Sequence, residues 1–357
     1  MRKETKETTS SGFKTRRILL IILCSVLSLV LIVLVAAAIW LQSTLNLIGR
    51  EVDNSQMSQS EYQEFLENES ETKDPNFNGE EMSAEEALKH DLAEIIQPHD
   101  DVINIMLIGQ DRREGQGRQR SDAMILCTIN YTKNTVSLTS FMRDMYVKIP
   151  GYGGNRINAC YQIGGMELLN KCLKDNFGVL VDGNIEVDFG GFMSVVNYLG
   201  GVDIELTKAE ADYLNRNGNW DVNSSSAGTW SLVEGMNHLT GEQALAYSRI
   251  RYIGNADFGR TERQRNVLTA IFEATSDMGI LELNSLLREL LPMMATDMSD
   301  SQLVSYAFDA FQIMGNLKIE NYRIPADNAY RDAVVDNMQV LVPNMEACRQ
   351  LLRDIIS

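Results

Sequence analysis

From Ile18 to Leu41 the chain reads ILLIILCSVLSLVLIVLVAAAIWL, 24 residues without a charge. Coiled as a helix, that run is about 36 Å long and covers a hydrocarbon layer of about 30 Å. It exceeds the apolar stretch of a cleaved signal peptide, so the expectation is one retained N-terminal transmembrane helix. Arg2, Lys3, Lys6, Lys14, Arg16 and Arg17 precede it against only Glu4 and Glu7. By the positive-inside rule, residues 1–17 are a cytoplasmic tail and everything after Leu41 lies outside.

Charge is distributed unevenly along the 357 residues, whose formal net charge is -17. The tail nets +4 (6 minus 2), residues 42–100 net -12 (3 minus 15) and residues 101–357 net -9 (23 minus 32). An acidic exterior domain argues against nucleic acid and has no supply of ATP or NAD. Cys127, Cys160, Cys172 and Cys348 show no zinc-type spacing and read equally as two bridges or as buried thiols. Only His90, His99 and His238 are present, so chemistry built on several histidines is excluded, and His238 reads as structural.

Residues 42–100 read as an acidic spacer with a short helix near Ser83–Ile96. The character then changes. INIMLIG (103–109), AMILCTIN (123–130) and TVSLTSF (135–141) are short apolar or alternating runs that predict neighbouring strands. GGMELLNKCLKDNFG (164–178) carries apolar residues at helical spacing, and NIEVDF, FGGFMSVVNYLGG and VDIEL alternate strand and helix. LELNSLLRELLPMMATDMS and QLVSYAFDAFQIM predict apolar helices, and the C-terminal stretch a strand or two with a closing helix. Such interleaving predicts a layered α/β domain over residues 101–357.

Against the acidic background, YSRIRYIGNADFGRTERQR (247–265) concentrates Arg249, Arg251, Arg260, Arg263 and Arg265. Arg249 and Arg251 are two apart, which aims both the same way on an extended segment. Arg260, Arg263 and Gln264 sit at helical neighbour spacing, and Thr240 with Gln243 can cap the helix before them. Arginine suits pyrophosphate because its planar fork donates parallel hydrogen bonds and keeps its charge. Asp111 follows the first strand and Asp122 precedes the second. Adjacent strands put both carboxylates at one edge, near Arg120 and Arg143, an arrangement that suits Mg²⁺. Aspartates at turns are otherwise caps, and arginines on solvated helix faces are common.

The chain resembles the LytR-CpsA-Psr family. The matching stretches are NIMLIGQD, RSDAMILCTIN, SFMRDMYVKIPGYG, RINACYQIGG, VDFGGFMSVVNYLGGVDIEL, HLTGEQALAYSRIRY and DFGRTERQR, in the family's order, between about Asn104 and Ile271. The resemblance implies a three-layer α/β/α sandwich with a central mixed sheet and an apolar tunnel for a prenyl chain. It implies that Asp111 and Asp122 hold Mg²⁺, with Mn²⁺ as substitute. Arg120, Arg143, Arg249, Arg251, Arg260, Arg263 and Gln264 then bind pyrophosphate, and Arg143, Arg249, Arg251 and Asp122 are the catalytic set. The family commonly has proline at the position of Met142 and threonine or serine at that of Met145, which bears on local backbone shape.

The implied protein is a single-pass surface enzyme of Gram-positive type. It moves a glycopolymer, teichoic acid or capsule, from a polyprenyl-pyrophosphate carrier to peptidoglycan by metal-assisted phosphoryl transfer. The resemblance assigns no base, and with no usable histidine the candidates are carboxylates such as Asp122 or Asp257. A pyrophosphatase of lipid-linked precursors, or a regulator that only holds prenyl phosphate, would use the same residues.

Overall fold

The computed structural model describes residues 40–49, 53–67, 77–110, 117–217, 230–251, 253–254, 256–276, 278–313 and 317–357. The predicted span, save its last two residues, and Asp111 lie outside the described residues. Among the described residues, no helix is long and apolar enough to cross a membrane. The chain divides into two compact units, 1–47 and 48–357. The described part of the first is a helical stretch, α1 (40–45).

In the second unit the order is α2 (Gln59–Glu67), β1 (Glu80–Glu81), α3 (Ala84–Ala87), β2 (Val102–Gln110), β3 (Ser121–Asn130), β4 (Thr135–Phe141), β5 (Tyr146–Ile149), β6 (Gly153–Arg156) and α4 (Asn158–Phe177). Next come β7 (Gly183–Asp188), α5 (Phe189–Tyr198), β8 (Val202–Leu206), α6 (Lys208–Asn217), β9 (Gly235–Leu239), α7 (Gly241–Ser248) and α8 (Ala256–Ser276). The chain closes with α9 (Ile280–Leu290), β10 (Met294–Thr296), α10 (Asp300–Ile313), β11 (Lys318–Ile324), β12 (Tyr330–Val335), β13 (Met338–Pro343) and α11 (Met345–Ile356).

The central sheet has six strands in the order β10-β7-β2-β3-β4-β11. β2, β3 and β4 run antiparallel, while β7 joins β2 and β11 joins β4 in parallel, so the sheet is mixed, as expected. The near-continuous apolar character of β2 to β4 has a direct cause, because both faces are covered. Met106, Ile108, Met124 and Leu126 pack towards α4 and α11, against Ile163, Leu169, Leu173 and Leu352. Ile105, Ile125, Cys127 and Leu138 pack towards α8 and α10, against Leu268, Phe272 and Tyr306. A further core under the β8–β9 hairpin, with Ile204, Leu214, Tyr247, Ile250 and Val267, seats α6, α7 and the middle of α8.

Local chemistry sets several boundaries. Thr240 and Gln243 form the expected capping box of α7, and the Asp188 carboxylate accepts from Gly191 N to start α5. The helix predicted from Gly164 is the second part of α4, which begins earlier and breaks at Gly164 and Gly165. Within the predicted apolar helix 281–299, α9 stops at Leu290, a 3-10 turn over Leu291–Met293 begins with Pro292 in its first positions, and Met294–Thr296 then pairs with β7. The C-terminal stretch holds three strands where one or two are predicted. The four cysteines outside the predicted span are buried free thiols.

The acidic segment is not a free spacer where it is described. Tyr62 is buried and meets Tyr152 edge-on at 5.0 Å, Ile96 is buried, and β1 adds to β12 in parallel. The helix expected over Ser83–Ile96 shortens to α3, with Ser83 as its cap. Two buried side chains, Tyr62 and Ile96, anchor this docking, and they are invisible in a composition dominated by carboxylates.

Gly178 shows how closely the segment docks. It ends α4 at φ 77°, donates to Lys174 O, and accepts from Ile96 N at 2.9 Å. An added Cβ would stand 2.1 Å from the Glu94 carbonyl oxygen. Gly200, at φ 85°, has nothing within 4 Å of the same position. Left-handed backbone alone costs a non-glycine residue roughly 1–2 kcal/mol. Gly200→Ala is expected to lose about that much in urea unfolding, and Gly178→Ala at least about 2 kcal/mol more, since backbone must move. Equal losses would mean that residues 93–96 are undocked in solution.

Candidate functional site

A cavity of about 560 Å³ opens beside the sheet, walled by Leu107, Ile125 and Ile185 from strands, Phe192 and Val195 from α5, Leu245 from α7, Leu268 and Ile271 from α8, and Leu290 and Met294. Into this apolar lining project Asp122, Ser248, Arg249, Arg251, Arg260 and Gln264. Four of the sequence-predicted pyrophosphate ligands therefore share one hollow. Arg260 and Gln264, four apart on α8, present to it from one helix face. Arg249 caps α7, and Arg251 lies two residues beyond in the irregular connection to α8. The Arg249 guanidinium stacks over Phe189 at 4.4 Å from the ring centroid.

Carboxylates arrange the guanidiniums. Asp122 Oδ1 lies 3.2 Å from Arg143 Nη1, 3.7 Å from Arg251 Nη2 and 3.9 Å from Arg260 Nη1. Asp257 stands across from it, 3.3 Å from both Arg143 Nη2 and Arg260 Nη2 and 3.9 Å from Arg251 Nε. Asp144 Oδ2 holds Arg143 Nε at 3.4 Å. Arg143 reaches this place from the turn after β4, and Asp122 from the start of β3, so the sheet itself brings them together.

Arg260 is the anomaly. Its side chain is 3% exposed, and among the described residues none of Nε, Nη1 and Nη2 has a hydrogen-bond acceptor of good geometry. Burial and the neighbouring Arg143 push its guanidinium down to about 10. For Asp257 burial opposes the charge, but Arg260 and Arg143 outweigh it and hold the carboxyl at about 2. Arg143 is raised further above its ordinary range: burial acts against it, and Asp144, Asp257 and Asp122 prevail. A buried cation whose three nitrogens lack an acceptor among the described residues, beside two further arginines, can take a multivalent anion.

Two predicted ligands sit elsewhere. Arg263 is 6% exposed and turns away from the cavity, its Nε donating to Glu210 Oε1 at 2.7 Å. Its other nitrogens donate to the carbonyls of Ile250 and Ile253. Arg120 places its guanidinium 5.2 Å from the Phe65 ring centroid, outside the cavity lining. Asp111 is outside the described residues. His238 pairs with Asp203 Oδ1 at 2.7 Å and Gly200 O at 2.9 Å on the β8–β9 hairpin, where it is a structural side chain. Met142 and Met145 are fully buried, and Met142 N donates to Ile324 O, so these departures from the family pattern pack into the core under the Arg143 turn. Phe189 and Glu210 carry no local signal in the sequence. Asp144, by contrast, adjoins Arg143 and forms a charged pair with it that is visible in the chain; Phe189 and Glu210 act on Arg249 and Arg263, far along it.

Oxygen donors of this kind suit a hard divalent ion. The ion pairs of Asp122 all run to Oδ1, and the carboxylate borders the same hollow as the arginines. Among the described residues there is no group of three or more His, Cys, Asp or Glu that could hold a metal by itself. The donor chemistry fits an ion shared between a few carboxylates and a bound anion.

The LytR_cpsA_psr family profile matches residues 54–354. The regulatory protein MsrR of Staphylococcus aureus (strain COL) is 29% identical over 262 residues, 72% of this chain and 75% of that protein. The polyisoprenyl-teichoic acid–peptidoglycan teichoic acid transferase TagT of Bacillus subtilis (strain 168) is 33% identical over 185 residues, 51% of this chain and 55% of that protein. A solved structure of TagT bound to LI-WTA superposes with a TM-score of 0.59 at 25% identity, covering 74% of this chain and 94% of that one.

The acid pair at the site gives a pH signature. Burial raises the Asp144 carboxyl to about 6; Arg143 opposes this, and the negative charge of Asp257, with a hydrogen bond to it, reinforces the rise. Between about pH 4 and pH 6 the folded protein then holds a proton that the unfolded chain has released. Stability accordingly falls as pH rises through that window. Melting curves of Asp144→Asn should lack this decline; a variant that still shows it places the titration elsewhere.

Proposed function

Because this chain belongs to the LytR-CpsA-Psr family, we propose that it is a cell-wall phosphotransferase that moves a glycopolymer from a polyprenyl-pyrophosphate carrier to peptidoglycan. The observation that carries this reading is the Arg260 guanidinium, buried without a hydrogen-bond acceptor among the described residues at the edge of an apolar cavity. One ligand answers both features: a diphosphate for the arginines and an isoprenoid for the Leu, Ile, Val and Phe lining. The relatives' names, which include a teichoic acid transferase, support the same substrate class. In this reading Ile18–Leu41 spans the membrane, residues 1–17 are cytoplasmic, and residues 42–357 work outside.

In the reaction, an acceptor hydroxyl attacks the sugar-linked phosphorus of the carrier. The bond from that phosphorus to the bridging oxygen breaks and polyprenyl phosphate leaves, so a phosphodiester joins glycopolymer to wall. Arg249, Arg251, Arg260 and Gln264 bind the diphosphate oxygens and neutralise charge that builds on the leaving phosphate. Arg143, gripped by Asp122, Asp144 and Asp257, completes the cationic wall. The hydroxyl's proton passes to Asp122, the carboxylate that borders that space. Asp257, where burial opposes the charge but Arg260 and Arg143 hold the carboxyl at about 2, serves the arginines instead. Mg²⁺, held by Asp122 with Asp111, would supply Lewis-acid stabilisation of the phosphoryl oxygens. The apolar walls exclude water, which strengthens each charge interaction.

Losing one such arginine removes an interaction of about 3 kcal/mol, near a hundredfold in rate. Arg251→Ala is expected to slow glycopolymer transfer to peptidoglycan by about that factor in purified protein given lipid-linked donor, with its melting curve unchanged. A variant that ligates normally rules out the assignment. Release of free glycan phosphate in place of ligated product, by the unaltered protein, would identify a pyrophosphatase.

A further inference from the structure

We infer that the buried Glu210–Arg263 pair is a positioning device for the arginine arm, not part of the anion site. This rests on the reading of the cavity as a pyrophosphate site. Arg263 and Glu210 are 6% and 7% exposed. Their contact, 2.7 Å from Nε to Oε1, ties α8 to α6. The second Glu210 oxygen accepts from Thr207 N at 2.9 Å and Thr207 Oγ1 at 2.8 Å, so the carboxylate is fixed on both sides.

The rest of the guanidinium clamps backbone. Nη1 donates to Ile250 O at 3.1 Å and Nη2 to Ile253 O at 3.2 Å. Ile250 lies between Arg249 and Arg251, and its own side chain is fully buried in the core beneath. Arg251 by contrast is 42% exposed at its side chain and follows the end of α7. A long side chain leaving irregular backbone is placed only as well as that backbone is held. The clamp holds both carbonyls from one rigid planar group, a geometry that a lysine ammonium does not reproduce. Gly259 permits it, since a Cβ there would stand 3.1 Å from Nη1.

The function of the pair is therefore to set the direction of Arg249 and Arg251 into the cavity. Removing one partner alone strands a buried charge and threatens folding. The informative variants are Arg263→Lys and the charge-balanced double variant Glu210→Gln with Arg263→Met. Full-length protein in detergent is titrated with geranylgeranyl pyrophosphate and, separately, with geranylgeraniol. Both variants should melt cooperatively, bind the neutral prenol as the unaltered protein does, and bind the pyrophosphate at least tenfold more weakly. Hydrogen exchange should quicken at residues 249–253 while α8 stays protected. Unchanged pyrophosphate affinity, unchanged exchange in the arm, or equal losses for both probes would overturn the positioning role. Unaltered protein that fails to distinguish the probes would overturn the pyrophosphate reading, while the exchange result still decides the positioning.

Discussion

A guanidinium buried among other guanidiniums is the constraint around which this domain is organised. Arg260 has lost its water, and Asp122 and Asp257 offer it only 3.3 to 3.9 Å ion pairs. An isolated buried charge costs several kcal/mol, so such a residue persists only where neighbours compensate it or a ligand does. The compensation here is incomplete. What remains is a strong local preference for anions inside an acidic domain, beside a cavity whose other walls are hydrocarbon.

The sheet, helices and connections each deliver one part of that balance. β3 supplies Asp122, the turn after β4 supplies Arg143 and Asp144, and the first turns of α8 supply Asp257 and Arg260. Asp257 and Arg260 are three apart on the helix, so the fold need only place α8 once to set both charges. The cavity walls come from α5, α7, α8 and the face of the sheet, and the same α8 residues that line it, Leu268 among them, also pack against the sheet core.

Some of this was legible in the chain. The three long strands, the second part of α4 and the cap of α7 follow from period, apolar runs and Thr-x-x-Gln chemistry, all of which act within a few residues. So does the pairing of Arg260 with Gln264. The role of Arg263 was not legible, because its spacing from Arg260 is as helical as that of Gln264, and only the position of Glu210 on α6 decides which way it turns. The acidic segment misled for a related reason: carboxylates describe its surface, while Tyr62 and Ile96 describe where it is attached.

By itself the sequence determined the kinds of group available: a charge-free run long enough for a bilayer, an acidic segment after it, a cluster of arginines in an acidic chain, and aspartates after the first predicted strand and before the second. These follow from composition and near-neighbour spacing, which covalent geometry enforces. Tertiary structure decided which arginines meet. Arg249, Arg251 and Arg260 share one hollow, Arg263 is diverted to a carboxylate 53 positions earlier, and Arg120 leaves for an aromatic ring. Each outcome depends on packing between segments remote in the chain, and no local rule carries that information.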